Sequence, residues 1–375
     1  MKTLVTDLLF PSKYSKWRIS EISSFIVDRG ADILVFKVDA YANITYGFDY
    51  DEMFHEFSLE GYNILIFDQK YNYINKYNKR VDGTAWNGKY YGSYLFTRSL
   101  DFNPDDYGFV YHIFLNNYLV FNKYFNFPME MQAVHLYPGG GFIDEKSLVS
   151  LHKTTKVIST TPKTSKLLYN IGHTNYIECL CAPLTSSADE KPILRKKNQG
   201  KLKVVFASMG HAAEKGDEQY RWIVNAYKER YLHDGVDFLS ISIYPLSDNI
   251  KNYMPMSMKE LTDFYRHNVD LIISIDTGLA FHGWPLGLEA VLTGVALATT
   301  DPHKWREMYE ISDDAIFVFD VDKLDSVVSF IHELYCDRDY LHAISIKGQA
   351  EFYKLCCYSS QQEMIFNYID GNMRY

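Results

Sequence analysis

Cysteine is scarce in this chain, no apolar run is long, positive charge is in deficit, and each shortage removes a class of protein. The five cysteines, Cys179, Cys181, Cys336, Cys356 and Cys357, form none of the paired spacings that bind zinc, and an odd count suits a reducing compartment. No run of about 18 apolar residues occurs, so no membrane-spanning helix is expected. The opening "MKTLVTDLLFPSKYSKW" interrupts its apolar run at Pro11, too early for a signal peptide, so a soluble cytoplasmic protein is expected. A net charge of -9 argues against a dedicated nucleic-acid binder, which needs clustered cations to release counterions. One basic cluster exists, Arg195, Lys196, Lys197, Lys201 and Lys203, in a polar stretch. It reads as a solvated linker, with peripheral contact to anionic lipid as the lesser reading. No repeat of about 20–50 residues is visible.

What is present points to a two-domain α/β protein. The length of 375 residues predicts two cores at roughly 150 residues each. Beyond residue 200, "KVVFASM" (203–209), "DFLSISIYP" (237–245), "DLIISID" (270–276), "VALATTD" (295–301) and "AIFVFDV" (315–321) read as buried strands. Helical stretches at 217–231, 258–267 and 286–293 separate them, the pattern of a parallel sheet covered on both faces. The first half begins alike, with Ile19, Ile22, Phe25 and Ile26 at helical spacing and strands at 31–38, 62–68 and 155–161. Residues 70–130, rich in Tyr, Asn and Phe, give no assignable pattern. The 31 Tyr and 24 Phe read first as core packing and second as sugar-stacking platforms. The polar stretch 184–201 is the expected linker, and the reading is two doubly wound domains facing across a cleft.

Three stretches carry candidate chemistry. In "SMGHAAEKGDEQY" (208–220) a strand runs into a glycine-punctuated loop with Lys215, and Asp217 is expected to cap the next helix. Helix-start amides with a nearby ammonium make a diphosphate site; alone, a plain turn with a solvated Lys is the simpler reading. In "DTGLAFHGWPLGLEAVLTG" (276–294), Gly278 and Gly283 imply close approach to a ligand. A helix is expected from Leu286, with Gly287 small enough for backbone contact, Glu289 in its first turn and Gly294 as the residue that ends it. On physics alone Glu289 suits a ribose and the helix dipole equally. In "MQAVHLYPGGGFIDE" (131–145), His135 ends a predicted strand just before Gly139, Gly140 and Gly141. A satisfied core histidine beside a turn is the bland reading; the two features together favour a ligand site. Asp49-Tyr50-Asp51 and Asp320-Val321-Asp322 mimic a metal motif, but Asp322 more simply caps a helix over 323–335, and no metal is expected. Cys356 and Cys357 read as buried thiols on a late helix.

The segment "DLIISIDTGLAFHGWPLGLEAVLTGVALATTD" resembles the signature of family-4-type glycosyltransferases of the GT-B fold. "EKG" upstream, "SMKELTDFYRHNVD" before it and the helical stretch 321–353 after it keep the family's order. The resemblance spans about 155–357, because "TTKVISTTPKTSKLLYNIG" is similar to that family's last N-domain strand and helix. It implies domains at 1–184 and 185–357, and a segment 358–375 whose helix returns to the N-domain through Met364, Ile365 and Tyr368. It implies transfer of a sugar, with retention, from a nucleoside-diphosphate donor to a glycan, lipid-linked glycan or other hydroxyl acceptor, as in polysaccharide synthesis, without a cofactor. Lys215 then faces the diphosphate, Glu289 the ribose, and Gly210, His211, Gly283, Trp284, Leu286 and Gly287 the rest of the donor. His135 and Gly139–Gly141 fall on the sugar or acceptor side. Two positions depart from the pattern: the first Glu of the pair falls at Phe281, with His282 or Asp276 as candidate replacements, and the Arg before the Lys is Gly210. These departures keep two other readings open, a nucleotide-sugar epimerase and a non-catalytic nucleotide-sugar-binding partner subunit.

Overall fold

The structure, a computed structural model, divides into two compact units, residues 1–186 with 359–375, and residues 187–358. It describes residues 2–7, 16–37, 64–68, 73–86, 89–100, 102–136, 145–160, 162–179, 200–207, 216–256, 258–276, 285–301, 305–308, 310–356 and 358–372. The candidates Gly139, Gly140, Gly141, Gly210, His211, Lys215, Phe281, His282, Gly283 and Trp284 lie outside the described residues, as do 49–51 and most of the linker. No helix among the described residues is long and apolar enough to cross a membrane.

The first unit contains β1 (Thr3–Asp7), α1 (Lys16–Arg29), β2 (Asp32–Lys37), β3 (Ile64–Asp68), β4 (Tyr73–Trp86), β5 (Lys89–Leu100), β6 (Phe109–Ile113), α2 (Leu115–Tyr124), β7 (Gln132–Leu136), α3 (Glu145–Leu148), β8 (Lys156–Ser159), α4 (Pro162–Asn170) and β9 (Tyr176–Glu178). Their sheet order is β5-β4-β3-β2-β1-β6-β7-β8-β9. Alternate residues of the strands leave by opposite faces. Val5, Ile33, Val35, Tyr111 and Ile158 meet Ile22, Phe25 and Ile26 of α1, whereas Leu4, Leu34, Phe36 and Val110 join Phe121 of α2 on the other face. Both faces are therefore apolar, which is why these strands read as unbroken apolar runs. The unassignable region proves to hold an antiparallel ribbon: β4 pairs with β3 only over Tyr73–Lys76, then with β5 from Ile74↔Leu100 to Trp86↔Lys89. The strand of 156–159 is not the last of this sheet, because β9 pairs beside it.

The second unit contains β10 (Leu202–Ala207), α5 (Asp217–Arg230), β11 (Val236–Ile241), β12 (Lys251–Tyr253), α6 (Met258–Asn268), β13 (Leu271–Ser274), α7 (Pro285–Leu292), β14 (Ala296–Thr300), α8 (Trp305–Met308), β15 (Phe317–Phe319), α9 (Asp325–Cys336) and α10 (Arg338–Cys356). All six strands are parallel, in the order β12-β11-β10-β13-β14-β15. Val204, Phe206, Leu271 and Ile273 pack against Ile223, Val224 and Tyr227 of α5 and Val328 and Ile331 of α9. Gly294 (φ 84°) closes α7: its N–H donates to Val291 O at 2.8 Å, and the next N–H, of Val295, reaches Ala290 O at 3.2 Å. That pairing is the left-handed glycine cap expected there.

One expectation about a helix end is corrected. Asp322 does not cap α9, which begins at Asp325. Instead the Asp320 carboxylate accepts the Asp322 N–H at 3.1 Å, and Asp320 O accepts the Lys323 N–H, so the turn is spent before the helix starts. Of the basic cluster, Lys203 belongs to β10, and Lys201 is ion-paired to Asp234 at 2.7 Å.

The final helix α11 (Tyr358–Ile369) belongs to the first unit. Ile365, Tyr368 and Ile369 are buried in the cluster that holds α1, and Met364 packs against it. Tyr368 Oη accepts the Val157 N–H at 3.1 Å and donates to Asn175 O at 2.7 Å. Arg29 grips both oxygens of Asp370 at 2.7 Å, a fork geometry that fixes orientation as well as distance.

Candidate functional site

Open parallel sheets bind ligands beyond the carboxyl ends of their strands, where the strand order reverses. In the second unit that point lies between β10 and β13, paired at Val204↔Leu271, Val205↔Ile272 and Phe206↔Ile273. The segments 208–215 and 277–284 leave from these two strand ends and lead into α5 and α7. The two sequence motifs thus follow adjacent strands of the sheet.

Glycine governs how the two segments arrive. Gly216, not Asp217, is the N-cap of α5, with φ 78° and ψ 29°. A Cβ there would stand 2.3 Å from Ile275 Cγ2, so the αL backbone and the close contact both demand glycine. Asp217 falls one position inside the helix and is buried, which corrects its assignment as a cap. On the other strand, the Asp276 N–H donates to Thr300 Oγ1 at 2.7 Å, and that hydroxyl donates to Asp276 O at 2.9 Å. These bonds tie the ends of β13 and β14, and Asp276 is buried.

Helix α7 starts at Pro285, the position where a missing N–H costs nothing. Gly287 faces the sheet: a Cβ there would lie 2.9 Å from Leu297 Cδ1 and 3.6 Å from Ser274 Cβ. Its smallness lets α7 lie close on β13 and β14. Glu289 is the fifth residue of α7, and the first turn holds no acid, which corrects the expected first-turn placement. The dipole effect fades beyond the first turn, so a purely dipole-complementing role for Glu289 is weakened. The side chains of Leu286 and Glu289 fall outside the description.

In the first unit the reversal lies between β1 and β6. His135, next to last in β7, is buried, with Nδ1 2.6 Å from Glu21 Oε1 and 2.8 Å from Tyr111 Oη. Tyr111 also donates to Glu21 Oε1. A second buried histidine, His112, lies between Thr6 Oγ1 and Gln132 Oε1, each at 2.8 Å. Gln132 donates to Asn122 Oδ1 and Phe127 O, which leaves its Oε1 to accept the His112 Nε2–H. The Thr6 hydroxyl then donates to Nδ1, and burial drives this imidazole from the ordinary 6.5 down to about 3. Asn117 donates to Thr6 O at 3.2 Å and to Ile113 O, joining the ends of β1 and β6.

Sequence reasoning singled out His135 but missed Glu21, Tyr111, His112 and Asn117. One signal was available for Glu21: a carboxylate four residues before Phe25 sits on the apolar stripe of α1, where a charge requires a buried partner.

No family model matches the chain, and comparison with curated proteins finds no match. Solved structures do match over nearly the whole length. Anabaena HepE in complex with UDP aligns with a TM-score of 0.66 at 12% identity, covering 99% of this chain and 100% of that one. TarM aligns at 0.63 and 11%, covering 98% of each chain. The pneumococcal O-GlcNAc transferase GtfA in complex with UDP and GlcNAc aligns at 0.62 and 11%, covering 99% of each. At such identities the likeness establishes architecture: the chain has the GT-B fold.

Proposed function

We propose that this protein is a glycosyltransferase that moves a sugar from a nucleoside-diphosphate donor to a hydroxyl of a glycan or similar acceptor. One observation carries the reading: β10 and β13, adjacent at the reversal point of the second sheet, are the strands that the two sequence motifs follow, and Gly216 at the start of α5 packs on Ile275 just beyond β13. Sugar transfer breaks the anomeric carbon–oxygen bond, and the electron pair stays on the departing diphosphate. Preorganised positive charge is worth most there, which suits Lys215 and the amides that open α7. Glu289 is assigned to the ribose hydroxyls and His135 to the sugar, with Gly139–Gly141 beside it. The likeness to HepE, solved with UDP-glucose, and to TarM, solved as a variant with UDP and glycan ligands, supports a nucleotide-sugar donor and a glycan acceptor here. Retention of configuration, a role in polysaccharide synthesis, a cytoplasmic location and independence of metal belong to the same proposal.

The test is thermal unfolding against a panel of nucleotides and nucleotide sugars, followed by product analysis with and without acceptor. A ligand at 100 times its Kd stabilises by about 2.7 kcal/mol, a rise easily read in Tm. A Tm indifferent to every member of the panel sinks the proposal. Because Phe281 stands where the family pattern has a Glu, the second reading is a partner subunit. Binding without release of sugar to any acceptor would favour it.

A further inference from the structure

We propose that the open edge of β9 carries a carbohydrate site of its own, away from the strand-order reversal of its sheet, which takes a segment of an uncharged glycan. That this glycan is the acceptor rests on the glycosyltransferase reading; that the site binds it does not.

The site follows from topology. Strand β9 is the last of the first sheet, three strands beyond β6 at the reversal. Its ladder uses alternate residues: the Val157 N–H donates to Asn175 O at 3.0 Å, and the Cys179 N–H donates to Ser159 O at 2.8 Å. Tyr176 and Glu178 therefore turn their own N–H and C=O groups to the open edge. Side chains alternate between the faces, so Ile177 joins the cluster of α1 and α11, whereas Tyr176 packs against that of Leu168 in α4. The edge is thus flanked by one helix on each face. Along it lies a cavity of about 510 Å³, lined by Tyr169 of α4, Thr174, Tyr176, Ile177, Glu178 and Met364 of α11. Clefts of roughly 300–1,000 Å³ are the size that holds small ligands.

The lining selects the ligand. Tyr169 is 72% exposed, an aromatic face at the rim of the cavity on which the C–H face of a pyranose can stack. The hydroxyls of Tyr169, Thr174 and Tyr176 and the carboxylate of Glu178 have no hydrogen-bond partner among the described residues. With the outward N–H and C=O groups of β9 they place donors and acceptors along one groove. Sugar hydroxyls, each a donor and an acceptor at once, match such a mixed set. No cation lines the cavity and one carboxylate does, which selects against phosphate, sulfate and uronate groups. An extended peptide would use the same edge, but β9 is three residues long and turns only two of them outward, a poor template for strand addition.

The experiment uses the full chain without donor nucleotide. Maltotriose, cellotriose and triacetylchitotriose are titrated by saturation-transfer NMR and calorimetry, with trigalacturonate as the charged counterpart. The expected result is binding of at least one neutral trisaccharide, with a Kd on the order of 1 mM, and no binding of trigalacturonate. Tyr169→Ala removes the exposed ring, and Glu178→Gln keeps the shape while removing the charge. Each should weaken the neutral probe about 10-fold. Both side chains are exposed, so both variants should keep the wild-type Tm. No binding of any neutral trisaccharide overturns the inference, as does binding that either substitution leaves unchanged, or equal binding of trigalacturonate. A chain that binds through Tyr169 but transfers no sugar loses the glycosyltransferase reading and keeps this site. A chain that transfers sugar without that binding loses the site alone.

Discussion

In the first unit the strand order reverses between β1 and β6, and in the second between β10 and β13. The first reversal is finished with polar side chains: Asn117 joins the two strand ends, and His112 spans Thr6 and Gln132. Even the strained backbone there is not glycine, since Phe114 sits at φ 76° and ψ 149°, held by an N–H bond to His135 O at 3.0 Å. Such a conformation costs about 1–3 kcal/mol in a non-glycine residue and persists only where neighbours enforce it. The second reversal has glycine where its two segments touch, with no side chain on Gly216 to occupy the space against Ile275. The same topology thus yields one crevice locked by hydrogen bonds and one whose segment ends meet on bare backbone.

The comparison breaks most visibly at Gly216. Gly216→Ala adds a left-handed penalty of about 1–2 kcal/mol and an overlap with Ile275 worth about 1–3 kcal/mol, so a loss of roughly 2–5 kcal/mol in urea unfolding is expected. Measured against Ile275→Ala alone, so that its own cavity cost cancels, the Gly216→Ala loss should shrink by the overlap share and keep the backbone share. Full recovery would mean that the αL conformation is not needed. Next in size is Lys215→Ala, for which turnover should fall about 100-fold, near 2.7 kcal/mol, with the smaller part in donor affinity. A wild-type rate would reduce that segment to a turn.

Two milder substitutions sharpen the contrast because they should act oppositely. Asn117→Ala removes the donor shared by Thr6 O and Ile113 O and should cost about 1–3 kcal/mol of stability, with nucleotide affinity unchanged. Glu289→Gln should cost about 1–3 kcal/mol of nucleotide affinity in calorimetry, with stability unchanged. If Asn117→Ala weakened nucleotide binding instead, the donor would have to be moved to the first unit.

What could be read from sequence was what depends on neighbours in the chain. Strands β10, β11, β13 and β14 announce themselves as apolar runs, and Gly294 sits where backbone conformation is decided locally. The stripe of Ile22, Phe25 and Ile26, and that of Met364, Ile365 and Tyr368, followed from helical period. Helix caps were misread because Asp217 and Asp322 have the right chemistry one and two residues from the right place, and an Asp can as readily sit inside a turn. The tyrosine-rich ribbon β4–β5 escaped because its register shifts between Asn75 and Gly83 break strict alternation. The polar clusters of the first unit join residues up to 114 positions apart, such as Glu21 and His135, and no local pattern encodes such a meeting.

The smallest expected effect tests whether the first crevice is locked by a neutral network. His112 is held near a pKa of 3 by burial, against 6.5 when exposed. As pH falls below 6.5 the unfolded chain takes up a proton that the folded protein refuses, so stability is lost with falling pH, from 6.5 down to about 3, and is complete above that window. Each pH unit inside the window costs about 1.4 kcal/mol, so His112 alone should lower the unfolding free energy by about 1.4 kcal/mol between pH 7.5 and 5.5. Burial lowers His173 as well and adds a loss of the same sign, so the wild-type profile by itself is not specific. The difference between wild type and His112→Gln isolates the network, because the amide cannot titrate while His173 is retained. Urea unfolding at pH 7.5, 6.5 and 5.5 should show the variant less stable at the high end and progressively closer to wild type at the low end. Parallel profiles would mean that His112 takes up its proton in the folded state.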